Sequence, residues 1–469
     1  MTHGNTIAAI STPPGKGGVA VIRISGDCAF DVATKIFVPK SKKSISDIKP
    51  RMQIYGDIYY GDEPIDDGMI TLFPAPNSYT GEDTVEISCH GGVLVTSKVL
   101  EAVLASGAAL AQRGEFTKRA FINGKLSLTD TEAISMLLEA ESEAKIRLSR
   151  AESRSKLTAE IQTVRESLTS LLSSIYARID YPDEDLGDFT EDETRAELSR
   201  IIGRIERLIS TYKTGKAVSE GIDTVICGKP NVGKSTLYNL LLGEDAAIVT
   251  DIPGTTRDVL EKTLPLGDVL LRLYDTAGIR DGEVDRVEAI GIQRSRKKIE
   301  ASELILALFD SSRPFDDEDR ELLEYLKSSS AVKIAIITKA DYSDIRRESN
   351  EKYELLSETG SFASVIEISA KERADAALSL IKDTVARLFT DEKIVIGTDA
   401  IVASARQNAS LVKAKGFLTT ALLAYDAGLA QDAASSDIEL ALGAISELDG
   451  RAVSEEVVND IFAKFCVGK

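Results

Sequence analysis

Apolar positions recur along this chain with three textures. Up to about Ala120, short apolar runs alternate with turn residues: Thr6-Ile7-Ala8-Ala9-Ile10, then Pro13-Pro14-Gly15-Lys16-Gly17-Gly18, then Val19-Ala20-Val21-Ile22-Arg23-Ile24. Runs this short, bounded by proline and glycine, predict strands, and the stretch reads as a small α+β domain. From about Leu126 the period becomes helical. Leu157, Ile161, Val164, Leu168, Leu171, Ile175 and Ile179 stand three or four apart and so share one helix face. Tyr181-Pro182-Asp183 should end that helix, because proline disfavours helical backbone in the residue before it and has no N–H to donate. A second helix carries Leu198, Ile201, Ile205, Leu208 and Ile209 on its apolar face.

Between Gly221 and about Leu388 strands alternate with helical segments: Thr224–Cys227, Val269–Tyr274, Leu304–Phe309, Ile334–Ile337 and Val365–Ile368. Short apolar runs spaced by helices imply a doubly wound, mostly parallel sheet with helices on both faces. Helical texture then resumes with Leu411, Val412, Phe417, Leu418, Leu422, Leu440, Leu442, Ile445, Val457, Val458, Ile461 and Phe462. The simplest organisation is a multidomain α/β plus α chain. An N-terminal α+β domain covers 1–120, a discontinuous helical bundle covers 121–219 and 391–469, and an α/β domain covering 220–390 is inserted between its halves.

Composition narrows the classes. Lys and Arg number 56 against 75 Asp and Glu, a formal net charge of −19, which argues against a polycationic nucleic-acid coat and confines any RNA contact to a local patch. Hydrophobic residues at 43% and charged residues at 28% fit ordinary globular cores and exclude disordered, collagenous and membrane classes. No apolar run approaches the ~20 residues of a spanning helix, and Met1-Thr2-His3-Gly4-Asn5 has no export-signal character, so a cytoplasmic protein without a membrane partner is expected. Cys28, Cys89, Cys227 and Cys466 lie far apart, with no C-x-x-C pair, and suggest neither a disulfide framework nor a thiolate metal site. His90, in Cys89-His90-Gly91-Gly92, has only His3 for company and is expected to pack in the core.

The densest chemistry is Gly228-Lys229-Pro230-Asn231-Val232-Gly233-Lys234-Ser235, followed by Thr236 and a helical run. This is G-x-x-x-x-G-K-[ST] between a strand and a helix. Glycines let backbone N–H groups turn toward a phosphate, Lys234 reaches the β/γ oxygens, and Ser235 is a magnesium ligand. Asp275-Thr276-Ala277-Gly278 follows the strand ending at Tyr274, where Asp275 would meet the magnesium shell and the Gly278 N–H a γ-phosphate. Thr338-Lys339-Ala340-Asp341 follows a third strand. GTPases carry N-K-x-D here, whose Asp accepts two bonds from guanine. Asp341 is therefore the base reader, while Thr338 replaces the Asn that braces the nucleotide loop. Ser369-Ala370-Lys371 matches a guanine-O6 loop, so the ligand is GTP or GDP rather than an adenine nucleotide. Ras-like GTPases orient water with Gln after D-x-x-G; Ile279 stands there, which leaves Glu288 as the candidate to position water.

These elements, with TIAAISTPPGKGGVAVIRISG from Thr6, PNSYTGEDTVEISCHGG from Pro76, GEFTKRAFINGKLSL from Gly114, IVTDIPGTTRD from Ile248 and the end Phe465-Cys466-Val467-Gly468-Lys469, resemble the MnmE (TrmE) family of tRNA-modification GTPases over essentially the whole length. The resemblance implies a Ras-like P-loop GTPase domain and a homodimer joined through N-terminal domains that bind a tetrahydrofolate derivative, 5-formyl-tetrahydrofolate being the expected form. An FAD-containing MnmG-type partner would complete a heterotetramer that modifies carbon 5 of the tRNA wobble uridine. It also implies potassium beside the β/γ bridge, held by Asn231 and by the loop containing Thr250, Ile252 and Thr255, with Thr256 completing magnesium coordination and Glu288 orienting water. Cys466 is either a nucleophile or carrier near the one-carbon group, or a small buried hydrophobe. Arg23, Glu82, Arg119 and Lys125 are the folate candidates, since cations suit its carboxylates and a carboxylate suits its ring N–H groups. Departures are Arg113 for a usual Pro, Arg406-Gln407 for an R-H pair, and Glu447-Leu448-Asp449-Gly450 for an E-I-T-G-like segment.

Two other readings compete. A GTP-regulated chaperone of ribosome assembly or tRNA would be expected to append a basic or KH-like domain, which the acidic balance does not supply. A folate-dependent one-carbon transferase would leave Lys234, Ser235, Thr256 and Asp275 without a role.

Overall fold

The computed structural model describes residues 5–41, 44–180, 190–243, 261–274, 300–340, 346–370, 373–427, 431–451, 455–463, 465 and 467–468. They fall into two compact units, Met1–Ser135 with Gly443–Lys469, and Met136–Leu442.

The first unit is built on strands β1 (Ile7–Ile10), β2 (Gly17–Ser25), β3 (Phe37–Pro39), β4 (Gln53–Tyr60), β5 (Glu63–Phe73), β6 (Thr84–Gly91) and β7 (Ala109–Leu110), in the order β3-β4-β5-β6-β2-β1-β7. Every pairing is antiparallel except β1 with β7. Helices α1 (Ala29–Ile36) and α2 (Val93–Ala105) supply Val32, Ile36, Val99 and Val103 to a core shared with Ile22, Ile24, Ile58, Ile70 and Ile87 of the strands. Period-two alternation sends the other residues of β1 to a second cluster, where Ile7 and Ala9 pack with Ala111 and with Phe116 of α3 (Glu115–Ile122). Helix α4 (Leu128–Leu138) follows.

The second unit contains α5 (Glu143–Ser149), α6 (Ala151–Asp180) and α7 (Glu191–Ser219), the last opened by a capping box in which Thr190 and Glu193 satisfy each other's backbone N–H groups. The expected face of α6 is buried from Leu157 through Ile175. A six-stranded sheet comes next, made of β8 (Ile222–Gly228), β9 (Glu261–Leu266), β10 (Val269–Tyr274), β11 (Leu304–Asp310), β12 (Val332–Thr338) and β13 (Ser364–Glu367) in the order β13-β12-β11-β8-β10-β9. It is parallel apart from β9, an antiparallel edge strand. Leu304, Leu306 and Leu308 enter one core layer while Ile305, Ala307 and Phe309 enter the other, which is why β11 reads as an unbroken apolar run. The described helices of this region are α8 (Lys234–Leu242), α9 (Asp317–Lys327), α10 (Arg346–Glu358) and α11 (Ala374–Phe389).

After α11 the chain runs back along α7. The Asp391 N–H donates to Thr214 Oγ1 at 3.0 Å, the Val402 N–H to Thr211 Oγ1 at 3.0 Å, and Ser219 Oγ to the Ala403 carbonyl at 2.8 Å. Helix α12 (Ala405–Asp426) then lies on α7, joined by Lys415–Glu206 and by Arg195 Nη2 donating to the Tyr425 carbonyl. Helices α13 (Gln431–Asp449) and α14 (Glu455–Ala463) complete the described elements. In the first unit the tail is tied to the sheet, with Ser11 Oγ donating to the Gly468 carbonyl and Val467 bridging to Arg113. Among the described residues no helix is long and apolar enough to cross a membrane.

Candidate functional site

The loop from Gly228 to Ser235 leaves β8 at the carboxyl end of the parallel strands, where open α/β sheets form their binding crevice. Its backbone is left-handed at Asn231 (φ 61°) and Gly233 (φ 106°), and Gly228 stands at φ 148°. A Cβ on Gly228 would lie 2.7 Å from the Leu308 carbonyl oxygen, so both conformation and close approach require glycine there. Gly233 caps α8 without a side chain, which leaves the first-turn N–H groups of Lys234, Ser235 and Thr236 for an anion at the positive end of the helix dipole. Lys234 Nζ donates to the carbonyls of Gly228 and Lys229, both at 2.7 Å. Burial pushes its pKa down, and a phosphate beside it would oppose that desolvation. Ser235 and Asn231 are exposed, whereas Val232 is buried and anchors the loop in the sheet core.

Two flanks hold this loop. On one side Lys229 pairs with Asp316 and, at 2.9 Å, with Asp319, the two members of the capping box that opens α9. On the other, the buried Thr338 hydroxyl donates to the Val232 carbonyl at 2.7 Å. Although Thr338 replaces the usual Asn, its shorter side chain still reaches the phosphate loop, because β12 ends directly beside it.

Thr338 leads into Lys339, a non-glycine residue at φ 61°. Ser311 fixes this turn from β11, its N–H donating to the Thr338 carbonyl at 3.1 Å and its hydroxyl to the Lys339 carbonyl at 3.0 Å. Lys339 Nζ meets Asp310 Oδ2 at 2.5 Å, and Ser312 donates to Oδ1 through its N–H at 2.9 Å and hydroxyl at 2.6 Å. Burial raises the Asp310 carboxyl's pKa, but Lys339 and Ser312 outweigh it and hold the group below the usual carboxylate range. Lys352 of α10 donates to the Asp310 carbonyl. Ile368, which precedes Ser369 and Ala370 just past β13, joins the same turn, its carbonyl accepting from the Ala340 N–H at 3.4 Å. The structure thus brings together Gly228, Asn231–Thr236, Thr338, Lys339, Ser369 and Ala370. Sequence reasoning missed Lys229, Asp310, Ser311, Asp316 and Asp319; the available signal was the position of Asp310 and Ser311 at the carboxyl end of a parallel strand. Thr250, Ile252, Thr255, Thr256, Asp275, Gly278, Glu288, Asp341, Lys371 and Cys466 lie outside the described residues.

A second polar cluster occupies the first unit, on the sheet face beside α3. The Arg23 guanidinium lies 5.4 Å from the Tyr79 ring centroid and 5.6 Å from that of Phe116, and pairs with Glu86 at 2.8 Å. Arg119 pairs with Glu82 at 3.0 Å and with Glu115 at 2.9 Å, and Glu82 also accepts from Ser25 at 2.9 Å. Lys125 Nζ donates to the Pro76 carbonyl at 3.0 Å. Glu82 and Arg119 are in direct contact; Arg23 and Lys125 are each joined to other partners.

His90 departs from expectation. It is 65% exposed rather than packed in the core, because β6 leaves the β5 ladder after Ser88 and Asp66 takes over, accepting from the His90 N–H at 2.8 Å and meeting Nδ1 at 2.7 Å. The Asp66 contact raises the imidazole pKa. Burial pushes the Cys89 thiol up to about 11 and the Cys227 thiol up to about 12, which suits inert packing rather than nucleophilic chemistry.

Comparison with known proteins covers nearly the whole chain. The family description "GTP-binding protein TrmE N-terminus" matches residues 6–125, and "MnmE helical domain" matches residues 128–466. The tRNA modification GTPase MnmE of Thermotoga sp. (strain RQ2) is 40% identical over 465 residues, 99% of this chain and 100% of that one. The protein of the same name from Thermoanaerobacter sp. (strain X514) is 37% identical over 467 residues, 99% of each. Among solved structures, Aquifex aeolicus Era bound to GDP and aluminium fluoride aligns over 41% of this chain and 65% of that one, with 22% identity and a TM-score of 0.28.

Proposed function

We propose, from the premise that this chain belongs to the MnmE family of tRNA modification GTPases, that it is a potassium-activated GTP hydrolase that installs an aminomethyl or carboxymethylaminomethyl group on carbon 5 of the tRNA wobble uridine. It acts in the cytoplasm as a homodimer, with an FAD-containing MnmG-type partner completing a heterotetramer. The observation that carries this reading is the phosphate loop itself: an uncapped helix start, a half-buried Lys234 ammonium and a left-handed Asn231, in a chain similar to named MnmE proteins from end to end.

Residues 220–390 bind and hydrolyse the nucleotide, 121–219 with 391–469 form the helical part, and 1–120 serve dimerisation and a tetrahydrofolate derivative. Ser235, exposed in the first turn of α8, suits a magnesium ligand and would share it with Thr256; Asn231, exposed on the loop, suits potassium, with Thr250, Ile252 and Thr255 completing its cage. When bound, both cations neutralise charge on the phosphate oxygens. Asp341 accepts from guanine, Ser369, Ala370 and Lys371 line its O6 side, Asp275 and Gly278 close on the terminal phosphate, and Glu288 orients water. For 5-formyl-tetrahydrofolate, the Arg23 guanidinium over two rings offers a flat cationic surface, Lys125 an exposed ammonium, and Glu82 with Arg119 a fixed carboxylate–guanidinium pair. Cys466 is the candidate for contact with the one-carbon group.

The direct test compares GTP turnover in potassium and sodium chloride at equal ionic strength. Several-fold faster turnover in potassium is expected, and equal rates would remove the cation cage. Wobble-uridine analysis of tRNA from cells lacking the protein tests the product; unchanged modification would leave only a regulatory GTPase.

A further inference from the structure

The nucleotide reading includes Thr338, Lys339 and Asp341, and the structure pairs the second of these, Lys339, with a carboxylate from a neighbouring strand. That pairing is built, not incidental. Asp310 cannot swing freely, because Ser312 holds Oδ1 by two bonds while Lys352 holds the backbone carbonyl. Its side chain is 11% exposed, and the fixed Oδ2 meets Lys339 Nζ at 2.5 Å. Lys339 needs such a hold. A β-carbon-bearing residue at φ 61° sits in a region that costs L-residues about 1–2 kcal/mol, so the turn persists only if its surroundings over-determine it. Three contacts from one strand end do so: the Ser311 N–H on the Thr338 carbonyl, the Ser311 hydroxyl on the Lys339 carbonyl, and Asp310 on the Lys339 ammonium.

We propose that Asp310 is a positioning residue for guanine-nucleotide binding: through its ion pair with Lys339 it holds the strained turn at Lys339, inside the T-K-x-D element read as contacting guanine. The claim rests on the reading of Asp341 as base reader, and it assigns to Asp310 no contact with nucleotide. Asn at 310 keeps an oxygen for Ser312 but loses the charge that holds Lys339, so the turn relaxes and affinity falls while the phosphate chemistry is untouched.

The test is a double-mutant cycle with D310N, K339M and the pair, in the full chain, using N-methylanthraniloyl-GDP as the probe. D310N should weaken its binding about tenfold, the scale of one charge-assisted bond. KM for GTP should rise in step while kcat stays within about twofold, and D310N should add nothing in the K339M background. Binding within twofold of wild type, or the same tenfold loss with and without Lys339, overturns the proposal. D310S, which also removes the charge, takes the place of D310N in the cycle if D310N does not fold. Wild-type protein is titrated in parallel with the adenine analogue. If it binds both bases equally, the base-reader reading fails, whatever Asp310 does.

Discussion

Thr338→Val isolates the brace between base turn and phosphate loop. Valine keeps the shape and the β-branch, so the strand end should stay packed, and only the hydroxyl is lost. That hydroxyl is 2.7 Å from the Val232 carbonyl and 3.3 Å from the Phe309 carbonyl, in a residue only 5% exposed. With one proton it donates to one of the two, and the shorter contact identifies Val232. Removing a donor from a buried carbonyl costs about 1–3 kcal/mol. If half of that cost, about 0.5–1.5 kcal/mol, falls on the loop as it binds phosphate, GDP affinity drops roughly 2- to 13-fold. Calorimetric titration with GDP reads the affinity, and thermal unfolding reads the share that is merely structural. Thr338→Ser should bind like wild type, and Thr338→Asn should recover most of the loss, because its amide is also a donor. A Thr338→Val protein that binds GDP as tightly as wild type would refute the brace.

Lys234→Met should weaken GTP and GDP binding about 100-fold or more by equilibrium dialysis, since it removes a charged donor from the phosphate loop; affinity within threefold of wild type would deny it that role. Gly215→Ala should invert the usual helix rule. An exposed helical glycine gains about 1 kcal/mol on becoming alanine, but here the new Cβ would lie 2.0 Å from the Val402 carbonyl oxygen, so urea unfolding should show a loss of about 1–3 kcal/mol, and any gain would contradict the close approach. For His90, the Asp66 hydrogen bond and charge raise the folded-state pKa above the unfolded value of about 6.5. Its stabilising contribution is therefore complete below that value and disappears as pH rises through the folded pKa. The imidazole should titrate above 6.5 by NMR and shift down in Asp66→Asn; titration at or below 6.5 would contradict the pairing.

What sequence revealed and concealed follows from where the physics is local. The phosphate loop was legible because its glycines, lysine and serine act at fixed offsets between one strand and one helix. Strands β11 and β12 were legible because burial on both faces makes a continuous apolar run. Strand β9 was not, since an edge position tolerates Glu261, Lys262, Thr263 and Pro265. The first half of β5, Glu-Pro-Ile-Asp-Asp-Gly, looks like a turn and is a strand only because β4 pairs with it. His90 was misjudged because its neighbour Asp66 comes from 24 positions away. Asp310 and Lys339, 29 apart, meet only through the parallel register of β11 and β12, which no period along the chain encodes.

The run of chain hydrogen-bonded to Thr211, Thr214 and Ser219 has a consequence for engineering. Thr214 and Asp391 are 177 positions apart yet share one hydrogen bond, so everything between them is a loop whose mouth is already shut. Shortening such a loop changes its closure entropy only logarithmically. A protein in which a brief flexible spacer replaces the six-stranded region should therefore keep α7 and α12 together, as a handle with its blade removed.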